Sequence, residues 1–185
     1  PRMQKVKRKN LDVQKFSENG DSQYSDPILV VDNFLMDDNI IFVTELDNSN
    51  VIIGYDSGSF AGTRSLVLAF DSQGNVLENW IDVGADIVGR RLSSNENDQF
   101  IKGYANSENN VLVIWKDQRS GNADIYGQLL NSNGDLLLDV EGVAIGSGAN
   151  DQQNPTITYN EVTSEFMVCW EDFTGLDFNI LIFFF

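Results

Sequence analysis

The chain has 185 residues, about one domain's worth, with 12 Lys+Arg against 28 Asp+Glu, a formal charge of −16, no histidine and one cysteine. These counts exclude a Ser-His-Asp or Cys-His relay within the chain, a zinc site of the usual His/Cys type and an intrachain disulfide. The charge also sets the chain against duplex DNA, whose phosphates repel it.

The first 15 residues run against that balance. Arg2, Lys5, Lys7, Arg8, Lys9 and Lys15 face Asp12 alone, a local charge of +5, which leaves −21 on residues 16–185. Such a start reads as a solvated tail or the remnant of an upstream segment, with an arm for anionic surfaces as the alternative. No apolar stretch behind it makes a secretory signal, and no run approaches the ~18 apolar residues of a membrane helix.

Short apolar runs follow: ILVV (28–31), IIFVTEL (40–46), VIIGYDS (51–57) and SLVLAFD (65–71), then a turn at Gly74. The first of these either opens the first repeat or belongs to a preceding one. Further on, strands are predicted over Ile101–Ala105, Val111–Lys116, Asp124–Leu130 and Leu136–Val140. In DIYGQLL, Ile125, Gly127 and Leu129 alternate with Tyr126, Gln128 and Leu130, the period of a strand. The connectors NSENN, DQRSGN and NSNGD carry turn chemistry, and Asn-Gly tolerates the positive φ of a tight hairpin. No amphipathic helix is predicted.

These runs repeat. VLVIWKD (111–117) matches FMVCWED (166–172) at an offset of 55, which also pairs Asn95 with Asn150, Tyr104 with Tyr159 and Ile125 with Ile180. At an offset of 60, Gly74 pairs with Gly134 and VIIGY (51–55) with VLVIW. Copies therefore sit at Tyr55, Trp115 and Trp170. Four short strands per repeat, unable to bury both faces alone, stack against their neighbours.

The middle copy resembles β-propeller-like repeats of secreted bacterial proteins, and more loosely the blades of the TolB propeller domain. The matching positions are Trp115, Asp117, Arg119, Gly121, Asp124, Ile125, Tyr126, Gln128 and Leu130, followed by the Gly134 turn. The last copy keeps Trp170, Asp172, Gly175 and Ile180 but has Phe173 and Thr174 where arginine belongs. The resemblance implies an all-β fold of antiparallel four-stranded blades, β-propeller-type and partial, with about three blades. The divisions are 1–25, a basic tail or remnant of a preceding blade; 26–90, a divergent first blade; 91–146, the second; and 147–185, an incomplete third. Gln23 and Pro27 echo Gln152 and Pro155 and support a boundary near 25. About three blades are too few for an ordinary closed ring, so remaining blades of a longer chain or self-association are expected. The apolar ILIFFF end is expected to be sticky or buried against another segment.

Trp115, Asp117, Arg119 and Gly121 form the most patterned stretch. A repeated feature is usually what makes the repeat. Asp117 is therefore expected to lock a turn and pair with Arg119, Arg119 to pair with Asp117 or Asp124, and Gly121 to supply positive φ. A Trp–Asp–Arg ligand platform is the competing reading. Asp71–Asn75 and Asn131–Asp135 resemble the start of a calcium loop. Position 12 counted from each start is Asp82 or Gly142, not glutamate, so these read as hairpin turns. No cofactor is expected beyond weak surface calcium on the acidic face. The spacing of Gly58 and Gly62 suits a phosphate loop, but no lysine follows Gly62. Cys169 reads as a buried hydrophobe, since no imidazole is present to activate it. No catalytic residue is assigned.

The function expected is a non-enzymatic module of a secreted or cell-surface protein, binding protein or glycan partners and no nucleic acid. The alternatives are a piece of a propeller-type carbohydrate-active hydrolase and a structural spacer. Extracellular placement rests on the resemblance and on the acidic, cysteine-poor, Asn/Asp/Gly-rich composition.

Overall fold

A computed structural model of the chain describes residues 11–14, 16–22, 28–31, 38–59, 62–82, 90–93 and 99–185. The basic residues Arg2 to Lys9 and Lys15, the Gln23–Pro27 echo and Asn95 lie outside the described residues. Within them the structure is all-β. The one helical element among them is a single 3-10 turn, Glu78–Trp80. Among the described residues no helix is long and apolar enough to cross a membrane.

β1 (Leu11–Val13) and β2 (Ile28–Val31) pair antiparallel in a sheet of their own. β3 (Asp38–Glu45), β4 (Val51–Ser59), β5 (Gly62–Phe70) and β6 (Arg90–Arg91) form the first four-stranded sheet, in chain order. β7 (Gln99–Ala105), β8 (Val111–Asp117), β9 (Asp124–Leu130) and β10 (Val143–Gly146) form the middle sheet in the same way. β11 (Gln152–Asn160), β12 (Glu165–Phe173) and β13 (Phe178–Phe184) form a last sheet of three strands. All pairings are antiparallel. Up-and-down sheets of this kind, stacked face on face, make a propeller-type fold.

The stack follows from which side chains alternate. Phe42, Ile52, Val67 and Ala69 of the first sheet meet Val111, Val113 and Trp115 of the middle sheet in one core. Leu112, Ile114 and Ile125 point the other way, onto Tyr159, Phe166, Val168 and Trp170 of the last sheet. The central strand β8 is thus apolar on both faces, whereas a one-sided sheet would show polar alternation. Inner strands approach one another: the Ala105 amide of β7 donates to Thr44 Oγ1 of β3 at 3.3 Å. The Phe42 ring lies over Gly54 and Gly103, in space that any side chain at either position would occupy.

The repeat is clearer in the backbone than in the letters. Ser49, Asn109 and Ser164, in the turns of three hairpins, have φ of 65°, 62° and 56°. Non-glycine residues adopt this left-handed region uncommonly; the first two turns also close with the same bonds, Leu46 to Asn50 and Asn106 to Asn110, while the third spans four residues between Asn160 and Glu165.

One predicted strand is corrected. Leu136–Val140 does not form the fourth strand of the middle sheet; Val143–Gly146 does. Leu136 makes only an isolated bridge to Leu130. Beyond it, the buried Gln128 side chain takes the ladder's place. Its Oε1 accepts from the Leu138 amide at 3.0 Å and its Nε2 donates to the Asp139 carbonyl at 2.6 Å. Backbone groups satisfied by a side chain need no neighbouring strand. Of the two expectations for ILIFFF, sticky or buried against another segment, burial is corrected. These residues lie mostly in β13, which pairs with β12 and is exposed along its whole length; Phe185 packs against the core.

Candidate functional site

The patterned stretch folds into one connected lock. Asp117 closes β8 and is fully buried. Its Oδ1 accepts from the Arg119 amide at 2.8 Å, the Asx turn that aspartate favours. Its Oδ2 accepts from Trp115 Nε1 at 3.1 Å and from Arg119 Nε at 2.8 Å, and it also pairs with the Arg119 terminal nitrogen. Arg119 then bridges outward, donating to the Glu141 carbonyl at 2.9 Å and to Ser93 Oγ at 3.0 Å. Its guanidinium lies 4.2 Å from the centre of the Tyr126 ring, and that ring stacks on Trp115 with 6.4 Å between centroids. One carboxylate and one fork thereby tie together β8, β9, the segment before β7 and the segment before β10.

The other sites read from the pattern have separate duties. Asp124 does not pair with Arg119. It accepts from Ser120 Oγ and from the Gly148 amide at 3.3 Å, so it fixes the loop that enters the last sheet. Gly121 has φ of 102° and Gly175 of 91°, conformations that glycine adopts without strain. Gly134, φ 79°, turns the outer hairpin beneath the Trp80 ring. In the last sheet the lock is incomplete. Trp170 is buried, yet its Nε1 has no hydrogen-bond partner, and neither has Gln152 Oε1. Phe173, which with Thr174 stands where arginine belongs, packs on Phe178 with centroids 5.0 Å apart.

The calcium-like segments are occupied by their own turns. Asp71 accepts from the amides of Gln73 at 2.9 Å and Asn75 at 2.8 Å, and from Asn75 Nδ2 at 2.8 Å. In the equivalent turn the two types change places: Asn131 Oδ1 accepts both amides and Asn131 Nδ2 donates to Asp135 at 2.9 Å. These bonds from Asn75 hold the Asp71 carboxyl below its ordinary value. Among the described residues no group of three or more Cys, Asp or Glu is placed to hold a metal ion. Cys169 is partly buried.

One residue that the pattern does not single out stands apart. Asp56 sits on β4 and accepts from Ser65 Oγ of β5 at 2.7 Å. Burial raises its carboxyl above the ordinary 3.8, and the Ser65 bond and the positive charge of Lys102 on β7 only partly offset that. The offset of 60 aligns it with Lys116, and a further 55 with Glu171, so the position carries a carboxylate in the first and last repeats and a lysine between them. The sequence signal is that mismatch within an otherwise matched strand. Gly142 and Gly146, also not singled out, seat the tryptophans: Trp115 lies over Gly142 and Trp170 over Gly146.

No family model matches the chain, and no curated protein matches it. Among solved structures it is similar to an endo-arabinase from Bacteroides thetaiotaomicron VPI-5482, with TM-score 0.45 and 8% identity. That match covers 90% of this chain and 62% of the arabinase.

Proposed function

We propose that the chain is a non-enzymatic repeat module that presents loops from rigid stacked sheets to a protein or glycan partner, in a secreted or cell-surface protein. The observation that carries this reading is where the most patterned polar residues go. Asp117, Arg119, Asp124 and Gln128 are all engaged inside the fold, so they hold sheets and loops in place and leave recognition to the connectors. Extracellular placement is supported by the resemblance of the middle repeat and by composition.

A second reading, a piece of a carbohydrate-active hydrolase, is favoured by Asp56. A buried carboxyl with a raised pKa, near a lysine, has the properties of a general acid. Glycoside hydrolysis asks for a second carboxylate across the bond. The two readings separate in one experiment. The purified chain is screened on a glycan array and against polysaccharides for reducing-sugar release. Binding without turnover supports the module. Turnover that is lost in Asp56→Asn overturns it in favour of the hydrolase. Neither binding nor turnover leaves the spacer reading and overturns both.

A further inference from the structure

Along β12 the two faces of the last sheet have opposite fates, while on β13 the inward Leu181 and Phe183 also stay 38% and 40% exposed. Phe166, Val168 and Trp170 of β12 face the middle sheet and are buried. By the antiparallel register, Phe184, Ile182, Ile180 and Phe178 lie beside Met167, Cys169, Glu171 and Phe173, on the outer face. Phe173, Phe178, Ile180, Ile182 and Phe184 are 36%, 48%, 67%, 56% and 60% exposed. The offset of 55 aligns Ile180 with Ile125, whose face of the middle sheet is fully covered by the last sheet. The outer face is thus the repeat of a surface that, one sheet earlier, is a core.

We infer that this face packs against the same face of a second copy of the chain, in a two-fold dimer centred on β13. The inference goes beyond the module reading and does not depend on which partner the loops bind. Three observations select the occupant. First, the other end of the stack is largely taken: Ile53, Tyr55, Leu66, Leu68 and Phe70, on the far side of the first sheet, are buried, and among the described residues Val43 is the exposed large apolar side chain on that face. A two-fold contact needs only the one free face. Second, the area suffices. With side chains of roughly 150–250 Å² each, the exposed fractions amount to about 500 Å² per copy. A pair of such faces buries about 1,000 Å², the lower bound for a specific interface. Third, the charge at the patch is withdrawn. Glu171 is the acidic residue in that row, and its carboxylate accepts from Asn154 Nδ2 at 2.9 Å, on the β11 side away from β13.

The −16 charge of each copy opposes the approach, so screening favours the dimer and association rises with salt. A contact made of ion pairs weakens with salt instead. The test is sedimentation equilibrium of the full chain at micromolar concentrations, in low and moderate salt. The expected result is a monomer–dimer equilibrium that tightens with salt. Ile180→Asp and Ile182→Asp place carboxylates face to face and weaken association by about tenfold or more each. Val162→Asp, in the exposed β11–β12 turn, serves as control and leaves it unchanged. Should the aspartate variants misfold by circular dichroism, Ile180→Ser and Ile182→Ser replace them, with weakening still expected. A chain that stays monomeric at all salts overturns the inference. So does a dimer that the β13 variants leave intact, or that Val162→Asp disrupts equally.

Discussion

Replacing Asp117 by alanine removes the acceptor at the centre of the lock. In the native fold its two oxygens take the Trp115 indole, the Arg119 amide and the Arg119 guanidinium. Trp115 is buried, and with Asp117 gone its Nε1 loses its bond; an unsatisfied buried donor costs about 1–3 kcal/mol. Arg119 keeps Ser93 Oγ and the Glu141 carbonyl and is partly exposed, so its share is smaller. The sum expected for Asp117→Ala is about 3–5 kcal/mol, in the range for breaking a buried charged pair. For a domain of this size that lowers the melting temperature by roughly 6–20 °C. Urea unfolding followed by tryptophan fluorescence reads the change. The same variant keeps any ligand binding at temperatures where it is folded. A loss under about 1 kcal/mol, the worth of an exposed ion pair, refutes the lock. A stable variant that loses binding refutes it differently, because Asp117 then belongs to a recognition surface.

Other expectations rest on separate features. Asp56→Asn is a test in pH. Because burial raises the native carboxyl above its unfolded value, the native state keeps its proton longer. The wild type therefore loses stability as pH rises from near 3.8 through the raised native value, and is constant beyond it. Melting curves across this window are expected to show Asp56→Asn without that fall, and a variant with the wild-type slope argues that Asp56 is not its source. Gly142→Ala puts a Cβ 2.8 Å from the Gly127 carbonyl oxygen and against the Trp115 ring, at φ 73°. A loss of about 2–4 kcal/mol in chemical unfolding is expected, as for overpacking with backbone strain. Gln128→Leu removes both the acceptor for the Leu138 amide and the donor to the Asp139 carbonyl. Faster amide exchange at Leu138 and a loss of about 1–3 kcal/mol are expected, and unchanged exchange there contradicts the strand-substitute role.

Strand positions in this chain are legible because a strand writes its period into the letters. VLVIWKD, DIYGQLL and FMVCWED lie on β8, β9 and β12, where alternation and β-branched residues say they should. Turns were legible where glycine or Asn-Gly stood, as at Gly74 and Gly134. They were not where Ser49, Asn109 and Ser164 reach the same left-handed φ with different letters. LLLDV misled because apolar alternation cannot show that Gln128 has already taken the backbone bonds a fourth strand would use.

The site divides the same way. Sequence spacing alone placed Trp115, Asp117, Arg119 and Gly121 within one turn, because contacts between residues two apart are fixed by local geometry. Ser93 and Glu141, which complete the fork of Arg119, are 26 and 22 residues away from it and become partners only when sheets stack. The raised Asp56 carboxyl has the same origin, since burial and the charge of Lys102 on another sheet are products of packing. Composition determined that the chain has no histidine chemistry and no intrachain disulfide, and periodicity that it is all-β and repetitive. The tertiary structure decided which face of each sheet became core and which, along β13, stayed open, because burial depends on what lies opposite a side chain and not on the side chain itself.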